Sequence, residues 1–544
     1  MRERSGCWLL AGIIIVLAAV YSVGNGRVQL WDRDEPRNAQ AARQMFQSGD
    51  WVVPRFLDQV RTAKPVFTYW CQVLAMHVWG DNVFAARFPS VVGMTLMLIV
   101  LAFVLQKTAG HQHALWTILI LGTSGMIIGW CARNALTDAM LLLWITIAQI
   151  CLCKIYIRGA ASWGDTAVWG AAVGLAGLTK GPVILGVQLA TLVTLIALDK
   201  AHWRWRISGR GLAQTVVALA ICAAFVGPWL YLVEKRSPGF IWTSTSHDVI
   251  RRMTEPLEQH KGPPGYYLLT AWATFFPWSL FLPMALIFAW RHRADARIRF
   301  AFAAVVGPWL LFELFRTKLP HYILPCFPPL AFLTADALLR CFKRDEDDLL
   351  RPTFLIGAAI WSVVIIAIGL APWLATIRLS PIPVAATIAW TLIAILYAAT
   401  VFTLFVAEKP RAAALAIAGG MVAAMLIAYG WYLPQARFFQ LSKSIAAVLR
   451  RDGGVVAGRV QMIGYKEPSL AFYQGGTIRE QPENNFLITH PPQDWPRWLT
   501  IRSDIWQTMP EHVQQRFTLL STCQGWAYAD KGKVVNVLVL RKRD

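Results

Sequence analysis

Apolar runs recur along the chain as far as about residue 433, separated by short polar turns. A helix of about 20 apolar residues crosses the hydrocarbon of a bilayer. On that measure the pattern predicts thirteen spans, at 7–24, 88–106, 114–130, 139–157, 166–178, 182–198, 212–233, 266–290, 298–315, 320–339, 353–375, 384–406 and 412–433. The fifth and sixth are separated at Thr179-Lys-Gly-Pro182, because a Gly-Pro pair beside a lysine does not continue one helix. The first run has no small-residue cleavage pattern after it and reads as a retained helix.

Beyond Leu433 the apolar runs shorten. A helix over Leu441–Arg451 is followed by strand-like stretches at 454–465, 498–502, 517–521 and 534–540, with a helix at about 503–516. The expected organisation is therefore a transmembrane domain at 1–433 and a small mixed α/β domain at 434–544.

Composition agrees with a polytopic membrane protein: 56% of the 544 residues are hydrophobic. The net charge of +21 would suit a nucleic-acid binder, but its placement argues otherwise. With the N-terminus inside, the inner connections carry Arg2, Arg4, Lys107, Arg158, Lys200, Arg204, Arg206 and Arg210, then Arg291, Arg293, Arg297, Arg299, Lys343, Arg344, Lys409 and Arg411. The short outer turns hold far fewer: Arg133, Lys180, Arg316, Lys318 and Arg378. This is the positive-inside bias of a plasma-membrane protein, and no nucleic-acid partner follows. Nine scattered cysteines make neither a disulfide framework nor a metal spacing.

The same topology puts loops 25–87 and 234–265, the short turns at 131–138, 179–181 and 316–321, and the tail after Leu433 outside the cytoplasm. The first loop opens with Trp31-Asp-Arg-Asp-Glu-Pro-Arg37, five charges within six residues at the mouth of a span. Charges at hydrocarbon are expensive and mark binding or reaction sites. Asp34 or Glu35 is expected to cap a helix that buries Ala39, Ala42, Met45 and Phe46 and ends at Gly49-Asp50. Trp51–Pro54 reads as extended, and a second interfacial helix runs from Pro65 to about Trp79. Loop 234–265 is long for a connection and reads as functional.

Several motifs share one order along residues 7–433: Trp31-Asp-Arg-Asp-Glu-Pro-Arg-Asn-Ala39, Gly49-Asp-Trp-Val-Val-Pro54, Lys64-Pro65, Thr137-Asp138, Gly177-Leu-Thr-Lys-Gly181, Phe276-Pro-Trp278 and Thr317-Lys-Leu-Pro-His-Tyr-Ile-Leu324. In these the chain resembles the 4-amino-4-deoxy-L-arabinose transferase-like group of the protein O-mannosyltransferase superfamily, integral membrane glycosyltransferases of GT-C fold. The resemblance implies transfer of a sugar from a polyprenyl-phosphate donor to a lipid, glycan or protein acceptor at the outer face of the plasma membrane. It implies Asp34, Asp138 and Glu35 as candidate catalytic acids, and Arg37, Lys64, Tyr322, Lys180 and Lys318 as donor-phosphate ligands. His247 and His260 match positions that can hold a structural zinc, and no cofactor is required for the chemistry. Two departures stand out: the arabinose-transferring members have Glu where this chain has Ala63 and Gln40. A neutral sugar then suits the chain at least as well as an amino sugar.

The chemistry fits these residue types. A departing lipid phosphate gains negative charge, which preorganised arginines and lysines stabilise. Asp34 and Arg37, three apart on a helix, share a face. Attack opposite the phosphate inverts the anomeric centre. Asp32-x-Asp34 imitates a metal-binding Asp-x-Asp, but with cations supplied it does not read as a metal site. The rival reading is a transporter or flippase, which places its charges near the midplane of repeated bundles.

Overall fold

In the computed structural model the described residues are 2–199, 209–246, 262–343, 347–376, 383–528, 530 and 532–543. His247 and His260, with residues 247–261 of loop 234–265, lie outside them, as do Lys200, Arg204, Arg206, Arg344 and Arg378.

Each of the thirteen apolar segments falls on helix. The first nine helices of the chain are α1 (Arg2–Ser22), α2 (Asp34–Ser48), α3 (Phe67–Trp79), α4 (Val83–Thr108), α5 (His111–Thr123), α6 (Asp138–Arg158), α7 (Trp163–Lys180), α8 (Val183–Leu198) and α9 (Gly209–Arg236). Further helical spans follow at Ala296–Leu314, Phe327–Lys343, Asp347–Thr376, Val384–Val406 and Pro410–Ile427. The segment expected at 266–290 is broken into Tyr266–Thr274 and Leu282–Arg291 around Phe276-Pro277.

Among the described residues seven helical stretches are long and apolar enough to cross a bilayer unaided. Others are shorter: α5 has 13 residues, which at about 1.5 Å per residue falls short of about 30 Å of hydrocarbon. The break at Thr179–Pro182 is real: α7 ends at Lys180, and Gly181 follows at φ +68°.

Side-chain contacts define two ends of this helical body. At one, Gln106 Nε2 reaches Cys7 Sγ at 3.2 Å, Arg297 donates to the Thr108 carbonyl at 2.9 Å, and Arg299 pairs with Asp199 at 2.8 Å. At the other, buried Arg133 donates to the Val20 and Val23 carbonyls at the C-terminal end of α1, and to the Ile128 carbonyl at 2.8 Å. Segment 25–87 folds over this second end. There α2 packs on α3 through Ala39, Ala42, Met45, Tyr69, Val73 and Met76, and a short antiparallel hairpin joins β1 (Arg55–Phe56) to β2 (Gln59–Val60).

One local expectation changes. The α2 helix begins at Asp34 itself, after an αR Arg33, so neither Asp34 nor Glu35 caps it. Its C-terminus does end at Gly49, at φ +71°, whose N–H bonds to the Met45 carbonyl at 2.9 Å.

After residue 440 a five-stranded mixed sheet forms from β3 (Val460–Ile463), β4 (Arg479–Gln481), β5 (Trp498–Arg502), β6 (Phe517–Ala527) and β7 (Lys533–Lys542), in the order β4-β3-β5-β7-β6. The helix expected at 503–516 is two short ones, Ser503–Gln507 and Glu511–Gln514, parted by Pro510. Helix Pro468–Gln474 has no counterpart in the sequence reading, yet it carries the docking contact. From it Ser469 bonds to Asp32, the Phe472 carbonyl accepts from Arg43 at 2.5 Å, and Tyr473 accepts from the Leu30 N–H at 2.9 Å. The small domain and segment 25–87 therefore occupy the same end of the molecule.

Candidate active site

One buried ion pair builds the frame. Arg87, at the start of α4, meets both oxygens of Glu35 at 2.7 and 2.9 Å, and donates further to the carbonyls of Asn25, Val28 and Gln29. Glu35 also accepts from the Trp31 N–H at 2.6 Å and the Ala135 N–H at 2.8 Å. Four donors thus occupy its two oxygens, and its side chain is 1% exposed. Glu35 ties the approach to α2 and loop 132–137 to α4. Asn38 adds a bond to the Ala135 carbonyl at 3.2 Å, and Ser90 one to the Asn134 carbonyl at 2.6 Å.

Asp34, one residue earlier, faces outward with its side chain 54% exposed. Behind it stands Arg61, 7% exposed, with one guanidinium nitrogen 3.6 Å from the Asp34 carboxylate. Arg61 is held by Asn38 Oδ1 at 2.9 Å and the Tyr69 hydroxyl at 3.0 Å. Its backbone N–H bonds to the Pro54 carbonyl across the hairpin at 2.8 Å. Arg37 follows Asp34 by one helical turn, and Lys64 lies three residues beyond Arg61; both are half-buried.

Loop 132–137 delivers Asp138 to the first turn of α6, where a carboxylate suits the helix dipole. Lys180 ends α7, where a cation does. The two meet at 2.6 Å. The Lys180 ammonium also lies 5.8 Å from the Tyr322 ring, and neighbouring His321 stacks on Trp130 with ring centroids 6.1 Å apart. The charges of Asp138, Lys180, Asp34 and Lys64 all act on the His321 ring. Asp34, Lys64, Asp138, Lys180, His321 and Tyr322 thus form one group, drawn from α2, the connection between β2 and α3, two helix ends and the 320–326 turn.

Lys318 keeps different company: it pairs with Glu313 at 2.6 Å and donates to the Pro263 carbonyl at 3.1 Å, closing the turn after helix 296–314 onto the start of helix 266–274. Asp32 turns away from Asp34. Its oxygens accept from the Ser469 N–H at 2.8 Å and the Ser469 hydroxyl at 2.5 Å, so the two carboxylates of Asp-x-Asp diverge. Gln40 also faces the small domain, accepting from Arg43 at 3.3 Å beside Gly476. Of the two departures only Ala63 adjoins Lys64. No group of three metal-ligating side chains occurs among the described residues.

Arg61, Arg87 and His321 were missed in reading the sequence. Arg61 lies on a turn that looked like a plain connection, and Arg87 at the edge of a span. His321 stood in the quoted 317–324 motif but was given no role.

A family model for dolichyl-phosphate-mannose-protein mannosyltransferases matches residues 7–242. An undecaprenyl phosphate-alpha-4-amino-4-deoxy-L-arabinose arabinosyl transferase of Serratia proteamaculans is 30% identical over 390 residues, 68% of this chain and 67% of that protein. Its counterpart of the same description in Yersinia pestis is 31% identical over 385 residues, 68% and 66%. The chain thus spans about two thirds of the length of these relatives. In fold it is similar to crystalline ArnT from Cupriavidus metallidurans, with TM-score 0.74 at 22% identity over 98% of this chain and 97% of that one. Fold and matches together define a multi-pass membrane glycosyltransferase of GT-C fold, and the transporter reading finds no support. Within that class the chain belongs to the family of the arabinosyl transferases it matches.

Proposed function

We propose that this enzyme transfers a sugar from a polyprenyl-phosphate donor to a lipid or glycan acceptor at the outer face of the bacterial inner membrane, with inversion at the anomeric carbon. The observation that carries this reading is the meeting of Asp34, Lys64, Asp138, Lys180 and His321 at one end of the helical body. The ArnT structure that shares the fold was crystallised bound to undecaprenyl phosphate, which supports the same donor class here.

In this reading Lys64, Arg37 and Tyr322 hold the donor phosphate. The bond from the anomeric carbon to the phosphate oxygen breaks with its electron pair on the phosphate, where fixed cations stabilise it without reorganisation. The acceptor oxygen attacks the opposite face of the sugar. Where the acceptor is a hydroxyl, Asp34 takes its proton; an ionised phosphate acceptor needs no base. Asp138 holds Lys180 toward the site. Glu35 acts through the frame it shares with Arg87 rather than on the substrate, and Lys318 fixes a turn. His247 and His260 would hold a zinc only as a structural ion in loop 234–265.

The charge bias places residues 291–299 inside and the small domain, 434–544, outside. Full-length protein in detergent, given polyprenyl-phosphate sugars and an envelope lipid extract, should release polyprenyl phosphate and form a glycosylated acceptor. A donor left chemically intact across all sugar classes would overturn the reading.

A further inference from the structure

Asp34 has a neighbour outside the group that meets the donor. Its charge acts on the His321 ring, beside Lys64, Asp138 and Lys180, and also on the hydroxyl of Tyr528, which belongs to the small domain. A fixed turn places that side chain. Tyr528 follows Ala527, the last residue of β6, whose carbonyl accepts from the Gly532 N–H at 3.0 Å. Asp530 of the same turn pairs with Arg502, at the end of β5, at 2.8 Å. Gly532 takes φ +73°, and a Cβ there would run into the Trp526 indole. From Tyr528 a series of aromatic contacts leads back to the motif that carries Asp34. Tyr528 meets Trp526 edge to face with ring centroids 5.9 Å apart, Trp526 meets Phe439 at 5.1 Å, and Phe439 meets Trp31 at 5.8 Å. Trp31, Phe439 and Trp526 are half-buried. Tyr528, at the end of the series, is 46% exposed, and it lies within reach of a carboxylate whose side chain is 54% exposed.

We infer that Tyr528 is an acceptor-site residue: its ring packs against a sugar ring of a saccharide-bearing lipid and presents the acceptor's reacting oxygen beside Asp34. This deepens the transferase reading above and rests on it. A sugar ring has an apolar C–H face and a polar edge. An aromatic ring with a phenolic hydroxyl complements both, and covering the apolar face withdraws it from water. The oxygen so placed forms the new bond to the anomeric carbon as the donor phosphate leaves with its electron pair, and a hydroxyl oxygen gives its proton to Asp34. The small domain then takes part in choosing the acceptor, while the membrane body holds the donor.

The test uses the full chain in detergent as wild type, Tyr528→Ala and Tyr528→Phe. One readout is retention of lipids from an envelope lipid extract on the immobilised protein, resolved by mass spectrometry into sugar-bearing lipids and phosphatidylglycerol. The other is turnover of polyprenyl-phosphate sugars against the same extract. Tyr528→Ala should lower retention of sugar-bearing lipids about tenfold and raise the apparent KM for the extract to match, the worth of one aromatic contact. Donor affinity, melting temperature and kcat at saturating extract should be little changed. Tyr528→Phe keeps the ring face and should restore most of the KM. Phosphatidylglycerol should be retained equally by wild type and Tyr528→Ala. Equal loss of both lipid classes in Tyr528→Ala would make Tyr528 an interfacial anchor and overturn the inference. So would an unchanged retention and KM, or a loss of donor affinity together with melting temperature, which would mark a structural role. Absence of turnover by the wild type with every donor would strike the transferase reading instead, while retention of sugar-bearing lipids would still decide the role of Tyr528.

Discussion

At the end of the helical body formed by residues 106–111, 156, 199 and 297–299, opposite charges close on one another. Arg299 and Asp199 meet at 2.8 Å with the Tyr156 hydroxyl joined to both, and each charged side chain is largely covered. At the far end Glu35 and Arg87 close in the same manner, but one residue away Asp34 does not. Its side chain is 54% exposed, with the Arg61 guanidinium 3.6 Å from the carboxylate. A closed pair uses its charge within the protein and serves architecture. An open one keeps charge available for a ligand. The contrast therefore lies in how far each carboxylate is buried: Asp34 is largely exposed, whereas Glu35 and Asp199 are covered.

Breaking the closed pair at the site end should have the largest effect. Arg87→Ala strands a buried carboxylate and frees the carbonyls of Asn25, Val28 and Gln29, so a loss of about 3–5 kcal/mol is expected. Thermal unfolding in detergent measures it. Activity should fall with stability, because Glu35 also holds loop 132–137 and through it Asp138. An Arg87→Ala protein of wild-type stability would show that the pair is not closed in the membrane.

Removing the open charge should do the reverse. Asp34→Asn and Lys64→Ala should each cut turnover by roughly 10²–10³-fold, the scale of losing one charge-stabilising group, with melting temperature nearly unchanged. Lys64→Ala should also weaken donor binding, whereas Asp34→Asn should leave it near normal. Single-turnover transfer and donor affinity, measured together, separate the two. Equal losses of stability in Asp34→Asn and Arg87→Ala would erase the distinction between open and closed carboxylates.

This contrast was only half legible in the sequence. Among the described residues the apolar runs fell on helix, with 266–290 broken in two, and Thr179–Pro182 marked a true break, because hydrophobic length and Gly-Pro chemistry are local properties. The Trp31–Arg37 cluster was also plain, since charges at hydrocarbon are rare. But Asp34 and Glu35 are adjacent carboxylates of one motif, and nothing local tells them apart. What divides them is Arg87, 52 residues from Glu35, and Arg61 on the far side of a two-residue hairpin. Similarly, Pro510 is visible as a helix breaker, yet the helix at 468–474 is stabilised by its docking on α2, a tertiary contact with no local signature.

At the opposite end, Arg299→Met should cost about 1.5–3 kcal/mol, the range for hydrogen bonds to a charged group, by removing the guanidinium that Asp199 and the Tyr156 hydroxyl share. Turnover per folded molecule should stay within about twofold of wild type, because no site residue is displaced. A larger fall in the turnover of correctly folded protein would mean that the two ends are coupled through the helices, and the comparison would then need a mechanical term.

The smallest effect should come from Asp32, the carboxylate that points into the small domain. Burial, and next the Glu467 carboxyl beside it, hold the Asp32 acid well above the usual carboxylate range. Ser469 works against this by donating two hydrogen bonds, and the Asp32 charge acts on the Tyr465, Tyr473 and Tyr528 hydroxyls, with Arg33 and Asp34 also acting on Tyr528. A group that binds its proton more tightly when folded stabilises the folded state fully at pH below its unfolded value, and loses that contribution as pH rises through the folded one. Docking of helix 468–474 onto segment 25–33 should therefore be tighter in mild acid and loosen toward neutral and alkaline pH. Hydrogen exchange of residues 29–33 and 468–474, followed between pH 5 and pH 8, should show protection falling with pH in the wild type. Asp32→Asn cannot ionise and should flatten that dependence while leaving the exchange of α4 unchanged. Protection that rises with pH would mean that Asp32 is held ionised, its charge stabilised by the Ser469 N–H and hydroxyl, and it would then join the closed, charge-matched groups rather than stand as a third kind of carboxyl within three residues of Asp34 and Glu35.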